Sequence, residues 1–337
     1  MEFTSKLDPL LQRVRRHASA GEWADALLIL RTEDEELRDH PELATLRADA
    51  ELRTGHPREA RQWLAATLPR IERTGDRAAI RKAVNQLGVA EIELGALDDA
   101  ERLFGRALEL ARDDGDDLLT AHATNNMGTI ANIRGRRAEA LALYQLAIPA
   151  YQRLGNVAGL AQSLHNMAIS FRHLGQFERA SEYAQRAIAY ATESANGPLI
   201  ALAWLERSEL ALQAGDPALA DVGAQRAARK FSELPDPIRE ADALRVVGAA
   251  RVQLGELANA HAVLERAFAL AREHGSRLVQ GETLRVLADC LVARNSHEAA
   301  RHALVTAITM FDELGASEQR SEALAWAKNV WGDRALS

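Results

Sequence analysis

The chain reads as an all-α array of stacked helical pairs, about eight helix-turn-helix repeats followed by a C-terminal capping helix. Three observations carry that reading. Glycine or asparagine recurs every forty residues at Gly55, Gly95, Gly135, Gly175, Gly215, Gly255 and Asn295, with Gly21 one shorter step before. Five residues after each stands an alanine, from Ala26 and Ala60 through Ala300. Between these marks the apolar residues follow helical rather than strand spacing. Repetition at a period of roughly 20 to 50 residues means units that bury their apolar faces only against their neighbours, so the chain is expected to form one elongated solenoid.

The register divides the chain at about 1–40, 41–75, 76–115, 116–155, 156–195, 196–235, 236–275 and 276–315, with a cap at 316–337, all within a single domain, 1–337. In the second repeat, His56-Pro57 opens the second helix, since proline is favourable at the first helical position. Pro69, inside that helix, removes an amide donor and predicts a kink, as does Pro149 two repeats later. The third repeat is the template. Ile80, Val84, Leu87 and Leu94 form one apolar stripe; Leu97, Ala100, Leu103, Phe104, Ala107, Leu108 and Ala111 form the next. Gly95 and Gly115 supply the left-handed residues that end the two helices. In mid-helix, Gly88, Gly128, Ala168, Ser208, Gly248 and Ala288 recur opposite larger fillers such as Phe104, Tyr144, Leu264 and Leu304. Glycine there costs up to about 1 kcal/mol against alanine, which predicts close helix contact as its reason. Later, Gly197-Pro198 and Pro235-Asp236-Pro237 punctuate the ends of repeats five and six, and Asp216-Pro217 opens another second helix. From Ser317 the sequence reads as a solvating cap.

The pattern Leu87-Gly88, Gly95, Ala100, Phe104, Ala107, repeated as Met127-Gly128, Gly135, Ala140, Tyr144, Ala147, resembles the tetratricopeptide repeat over nearly the whole chain. The resemblance implies a right-handed solenoid whose first helices line a concave groove. The forty-residue period and the absence of the usual proline after the second helix look like the kinesin light chain and bacterial peptide-receptor variants.

Composition narrows the partners. The sequence is 47% hydrophobic and 26% charged, ample for a folded core. Its net charge of −7, from 41 basic and 48 acidic residues, sets aside no basic stripe for nucleic acid. No apolar run approaches the ~18 residues of a membrane helix, and the N-terminus has no continuous apolar core. Cys290, the single cysteine, sits among Leu287, Ala288, Leu291 and Val292 and reads as a buried thiol in a reducing, cytoplasmic setting. No phosphate loop, nucleophile elbow or HExxH motif is present, so no cofactor and no catalysis are expected.

The first helices carry a polar ladder. Asn85, Asn125 and His165 lie forty residues apart, as do Asn126 and Asn166. Lys82, His122 and Gln162 lie one turn before; Thr129, Asn132, Arg172 and His173 continue the same face. By the resemblance, paired asparagines here hold the backbone of an extended peptide. Carboxamides suit that role because each offers a donor and an acceptor. The competing expectation is that these asparagines bridge adjacent first helices. Further on, Asp242 with Arg245 and Glu282 with Arg285 read as self-satisfied pairs. Leu202, Leu205 and Leu212 with Glu206 and Glu209 read either as core or as an apolar pocket with an acidic rim. The function expected is capture of a peptide or a partner protein's tail. The alternatives are a scaffold that assembles with itself or a large partner through its convex face or its cap, anchored by Trp326 and Trp331, and, remotely, a metal enzyme built on His122, His165 and His173.

Overall fold

A computed structural model describes residues 2–32, 40–234 and 236–332. Those residues form seventeen α-helices and no strand. In chain order they are α1 Glu2–Ala20, α2 Trp23–Thr32, α3 Pro41–Arg53, α4 Pro57–Thr74, α5 Arg77–Glu93, α6 Leu97–Asp113, α7 Asp117–Ile133, α8 Arg137–Arg153 and α9 Val157–His173. Then follow α10 Phe177–Glu193, α11 Gly197–Gln213, α12 Pro217–Glu233, α13 Pro237–Gln253, α14 Leu257–Glu273, α15 Arg277–Ala293, α16 His297–Leu314 and α17 Ser317–Trp331. Eight pairs and a terminal helix follow the forty-residue register, and within the units second helices such as α6 and α12 pack between two first helices. Pro235 and residues 333–337, which the sequence reading included, lie outside the described residues.

The repeat marks have plain physical roles. All seven recurring glycines have positive φ, between 76° and 79° except Gly175 at 71°, and Asn295 adopts 59° in the same place. Ala195 does likewise at 51°, where Gly75, Gly115, Gly155, Gly275 and Gly315 end the second helices of other repeats. The eight alanines that follow the marks are fully buried. Gly88 and Gly128 have no room for a side chain: an added Cβ would stand 2.8 Å from Phe104 and 2.6 Å from Tyr144. Gly248 is equally tight against Leu264, at 2.4 Å. Side-chain N-caps add a further forty-residue repeat, with Asp76, Asp116, Asn156, Asn196 and Asp236 each accepting a backbone N–H at the start of a first helix. Pro69 and Pro149 do not divide their helices. Both lie on the exposed side of their helices, where a carbonyl that loses its amide donor is open to hydration.

The chain falls into two compact units, residues 1–170 and 171–337. In the first, Leu10, Val14, Leu27, Leu30 and Leu43 join α1 to α3 in one cluster, and further apolar clusters follow between successive helices, such as Phe104 with Ile130. In the second, Leu205, Phe231, Leu244 and Val247 form the centre of α11 to α13, and Leu304, Phe311, Ala323 and Ala327 hold α16 against α17. Leu202, Leu205 and Leu212 belong to this packing, the core role that the sequence left open for them. Trp326 and Trp331 also pack within this end, edge to face with centroids 5.2 Å apart, under Arg285 and Arg301 respectively. No described helix is long and apolar enough to cross a membrane.

Candidate functional site

The first helices of the 1–170 unit bring the polar ladder to one face, but its members differ in what they do. Asn125 is buried, and its Oδ1 accepts a hydrogen bond from Ser163 Oγ at 2.9 Å. Asn132 Oδ1 accepts from Ser170 Oγ at 2.9 Å and from Arg137 at 3.2 Å. Asn166 accepts from Gln162 at 3.0 Å within its own helix and donates to Thr129 Oγ1 at 3.4 Å. Thr129 in turn donates to the Asn125 carbonyl at 3.3 Å. Three of these contacts tie α7 to α9, the bridging role set out above as the competing expectation. Burial pushes the Tyr144 hydroxyl up to about 12 against a hydrogen bond with Thr129 that pulls it back. His165 is buried in the same layer.

Two asparagines are differently placed. Asn126 is half-buried, and its carboxamide makes no hydrogen bond among the described residues. Asn85 Oδ1 is shielded from solvent and has no hydrogen-bond partner among the described residues. The cause lies in the offsets: Asn125 and Asn132 find serine hydroxyls 38 residues on, whereas the position 38 beyond Asn85 is Ala123. Asn166 reaches back 37 residues to Thr129, whereas the position 37 before Asn126 is Val89. Nearby, Lys82 pairs with Asp49 at 2.9 Å. The His122 ring lies 5.5 Å from that of Tyr151 and 3.4 Å from Asn156 Nδ2, and burial holds its pKa below the ordinary histidine value. Among the described residues this face is therefore neutral apart from one ion pair, with two buried acceptors lacking partners, Asn85 Oδ1 and Gln86 Oε1, and one open carboxamide at Asn126.

Arg172 and His173 fall in the 171–337 unit, where the same helix face is charged throughout. Arg172 binds Glu206 at 2.8 Å and Glu209 at 2.8 Å. Arg245 binds Glu209 and Asp242, each at 2.7 Å, and approaches Glu282 at 3.8 Å. Burial drives Glu206 and Glu282 up to about 7, against the pull of Arg172 and Arg245 respectively. Burial would raise Glu209 too, but it lies between the two guanidiniums and is held below the usual carboxylate value. The Asp242–Arg245 pair is as the sequence suggests. Arg285 instead turns to Asp289 at 2.8 Å, which leaves Glu282 to Arg245 and Gln319. His173 pairs with Glu318 at 3.3 Å.

Of the histidines read as a remote metal site, His122 and His173 have separate partners, and among the described residues the three do not come together as a ligand group. The three-residue group whose ligand atoms do approach one another, His17, Glu22 and Asp25, lies on the surface near the N-terminus, with His17 bonded to Glu22 at 2.7 Å.

Two family models described as tetratricopeptide repeat match the chain, one over residues 76–153 and 117–193, the other over 165–235. No curated protein sequence matches. Among solved structures, a Rap protein complexed with Competence and Sporulation Factor is 15% identical with a TM-score of 0.65, over 98% of this chain and 97% of that one. A chain of the APC/C hetero-tetramer Cut9-Hcn1 gives 16% identity and a TM-score of 0.67, over 95% of this chain and 56% of that chain. BtubC (BKLC) from P. vanneervenii gives 21% and 0.50, over 70% and 92%. At these identities the likeness is one of fold.

Proposed function

We propose that this chain, a tetratricopeptide-repeat protein, uses the first-helix face of its 1–170 unit to hold the main chain of an extended peptide or a partner protein's tail, with Asn85 and Asn126 as the clamps. The observation that carries the proposal is the pair of carboxamides left open on a face where the other asparagines are bonded. A buried acceptor without a partner is destabilising by about 1 to 3 kcal/mol, so Asn85 Oδ1 gains from any ligand N–H that reaches it. Asn126 offers both a donor and an acceptor, which matches the alternating groups of an extended backbone. Lys82, His122 and Gln162 would line the path without gripping it, because each already has a partner. The Rap protein neighbour was solved with Competence and Sporulation Factor bound, which favours a peptide-sized ligand.

The role is binding, with no catalytic step. The test is selection from a random peptide library on the immobilised protein, followed by calorimetry of the selected peptides on parent and variant. Asn85→Ala with Asn126→Ala is expected to weaken binding while the circular dichroism spectrum is unchanged. Peptides that bind the folded double variant as well as the parent would refute the clamp.

A further inference from the structure

In the 171–337 unit the polar contacts between first helices close on themselves. Arg172 at the end of α9 binds Glu206 and Glu209 of α11, Glu209 binds Arg245 of α13, and Arg245 approaches Glu282 of α15. Glu282 hydrogen-bonds to Gln319 of α17, and Glu318 of α17 returns to His173, the neighbour of Arg172. Four first helices and the terminal helix α17 are thereby joined in a circuit. The steps within it span offsets of 34 to 37 residues, as expected of adjacent repeats. The return step from His173 to Glu318 spans 145 residues and is the one contact that neighbouring repeats do not dictate.

That return step is also the weakest link. Side chains along the circuit are largely enclosed, with Arg172 16%, Arg245 15% and Glu206 4% exposed. His173 and Glu318 are 28% and 49% exposed. An exposed ion pair contributes about 0.2 to 1 kcal/mol, whereas removing one partner of a buried pair costs several times more.

We propose that α17 is a displaceable strap: the His173–Glu318 contact closes the first-helix face of this unit, and a ligand reaches the charge chain beneath only when the strap releases. This goes beyond the peptide reading of the 1–170 unit, concerns none of its clamp residues, and can fail or stand independently of it.

The experiment combines hydrogen exchange with arginine modification on the full chain. Glu318→Gln keeps shape and removes the charge. Amide exchange across 317–331 is expected to quicken about two- to fivefold, the factor that an exposed pair's energy predicts, while 117–133 is unchanged. Phenylglyoxal, which must touch the guanidinium, is expected to modify Arg172 faster by a similar factor, although the Arg172 ion pairs themselves are intact in the variant. His173→Gln should give the same result, and the double variant no more than either single one. High salt should accelerate the parent and leave the variants unaffected, because screening removes the same interaction. Unchanged exchange in both single variants would overturn the strap, as would additive effects in the double variant. Faster exchange with unchanged modification of Arg172 would also overturn it, because α17 would then be loosened without covering anything.

Discussion

The same helix face, repeated at the same forty-residue interval, is neutral in residues 1–170 and ionic in residues 171–337. In the first unit, Asn125, Asn132 and Asn166 cross-link helices through hydroxyl groups and leave Asn85 and Asn126 open. In the second, Arg172 and Arg245 each serve two or more carboxylates, so no member of the chain is open. A repeat fold thus fixes where a side chain stands, while its counterpart 37 or 38 residues away decides whether it is a structural link or a free recognition group.

The largest effect expected from breaking the contrast is at Arg172. Arg172→Met strands Glu206 and leaves Glu209 to Arg245 alone, a loss of about 3 to 5 kcal/mol for an uncompensated buried charge. Denaturant melts should show it, and hydrogen exchange should place it in 171–337. Gly128→Leu, in the other unit, drives a side chain into Tyr144 and should destabilise by about 1 to 3 kcal/mol or more. Melts superimposable on those of the parent would mean that the helix contact is not where the structure has it.

Acidity should move the two units in opposite directions. Glu206 and Glu282 have folded values raised from 4.5 to about 7, so the stability they confer is complete below about 4.5 and is lost as pH rises through about 7. The loss is on the order of 1 to 3 kcal/mol in 171–337. His122 has a lowered folded value, so its contribution is present above the ordinary 6.5 and is lost as pH falls. Exchange corrected for intrinsic rates should therefore show 171–337 gaining protection between about pH 8 and about pH 5.5 while 117–133 loses it. A common direction in both units would contradict the charge assignment.

The smallest effects discriminate within the ladder. Asn125→Ala strands Ser163 and should destabilise by about 1 to 3 kcal/mol at most, whereas Asn126→Ala breaks no internal bond and should stay within about 0.5 kcal/mol of the parent. Equal losses at both positions would mean that Asn126 is as structural as Asn125.

The architecture was legible because glycine and alanine report backbone conformation and close packing directly: a left-handed turn admits little else, and a fully buried helix contact admits little larger than alanine. The asparagine- and aspartate-capped helix starts carried the same signal and are equally readable from the sequence. The site was less legible. Position on a helix face says nothing of partners, and the ladder contained bridging and open asparagines alike. Reading Ser163 and Ser170 against Asn125 and Asn132, and Ala123 against Asn85, would have separated them. The closure by Glu318 was not legible, because contacts across several repeats depend on how successive pairs stack and not on any one spacing.

The central claim is that the open carboxamides recognise a ligand backbone. The direct measurement is the affinity of library-selected peptides for the parent and for the Asn85→Ala, Asn126→Ala double variant, each shown to be folded. Two lost backbone hydrogen bonds, at about 0.5 to 1.5 kcal/mol each, predict affinities weaker by roughly 5- to 150-fold and by similar factors for peptides of unrelated sequence. Affinities that do not change, or a library from which the parent selects nothing, would contradict the account.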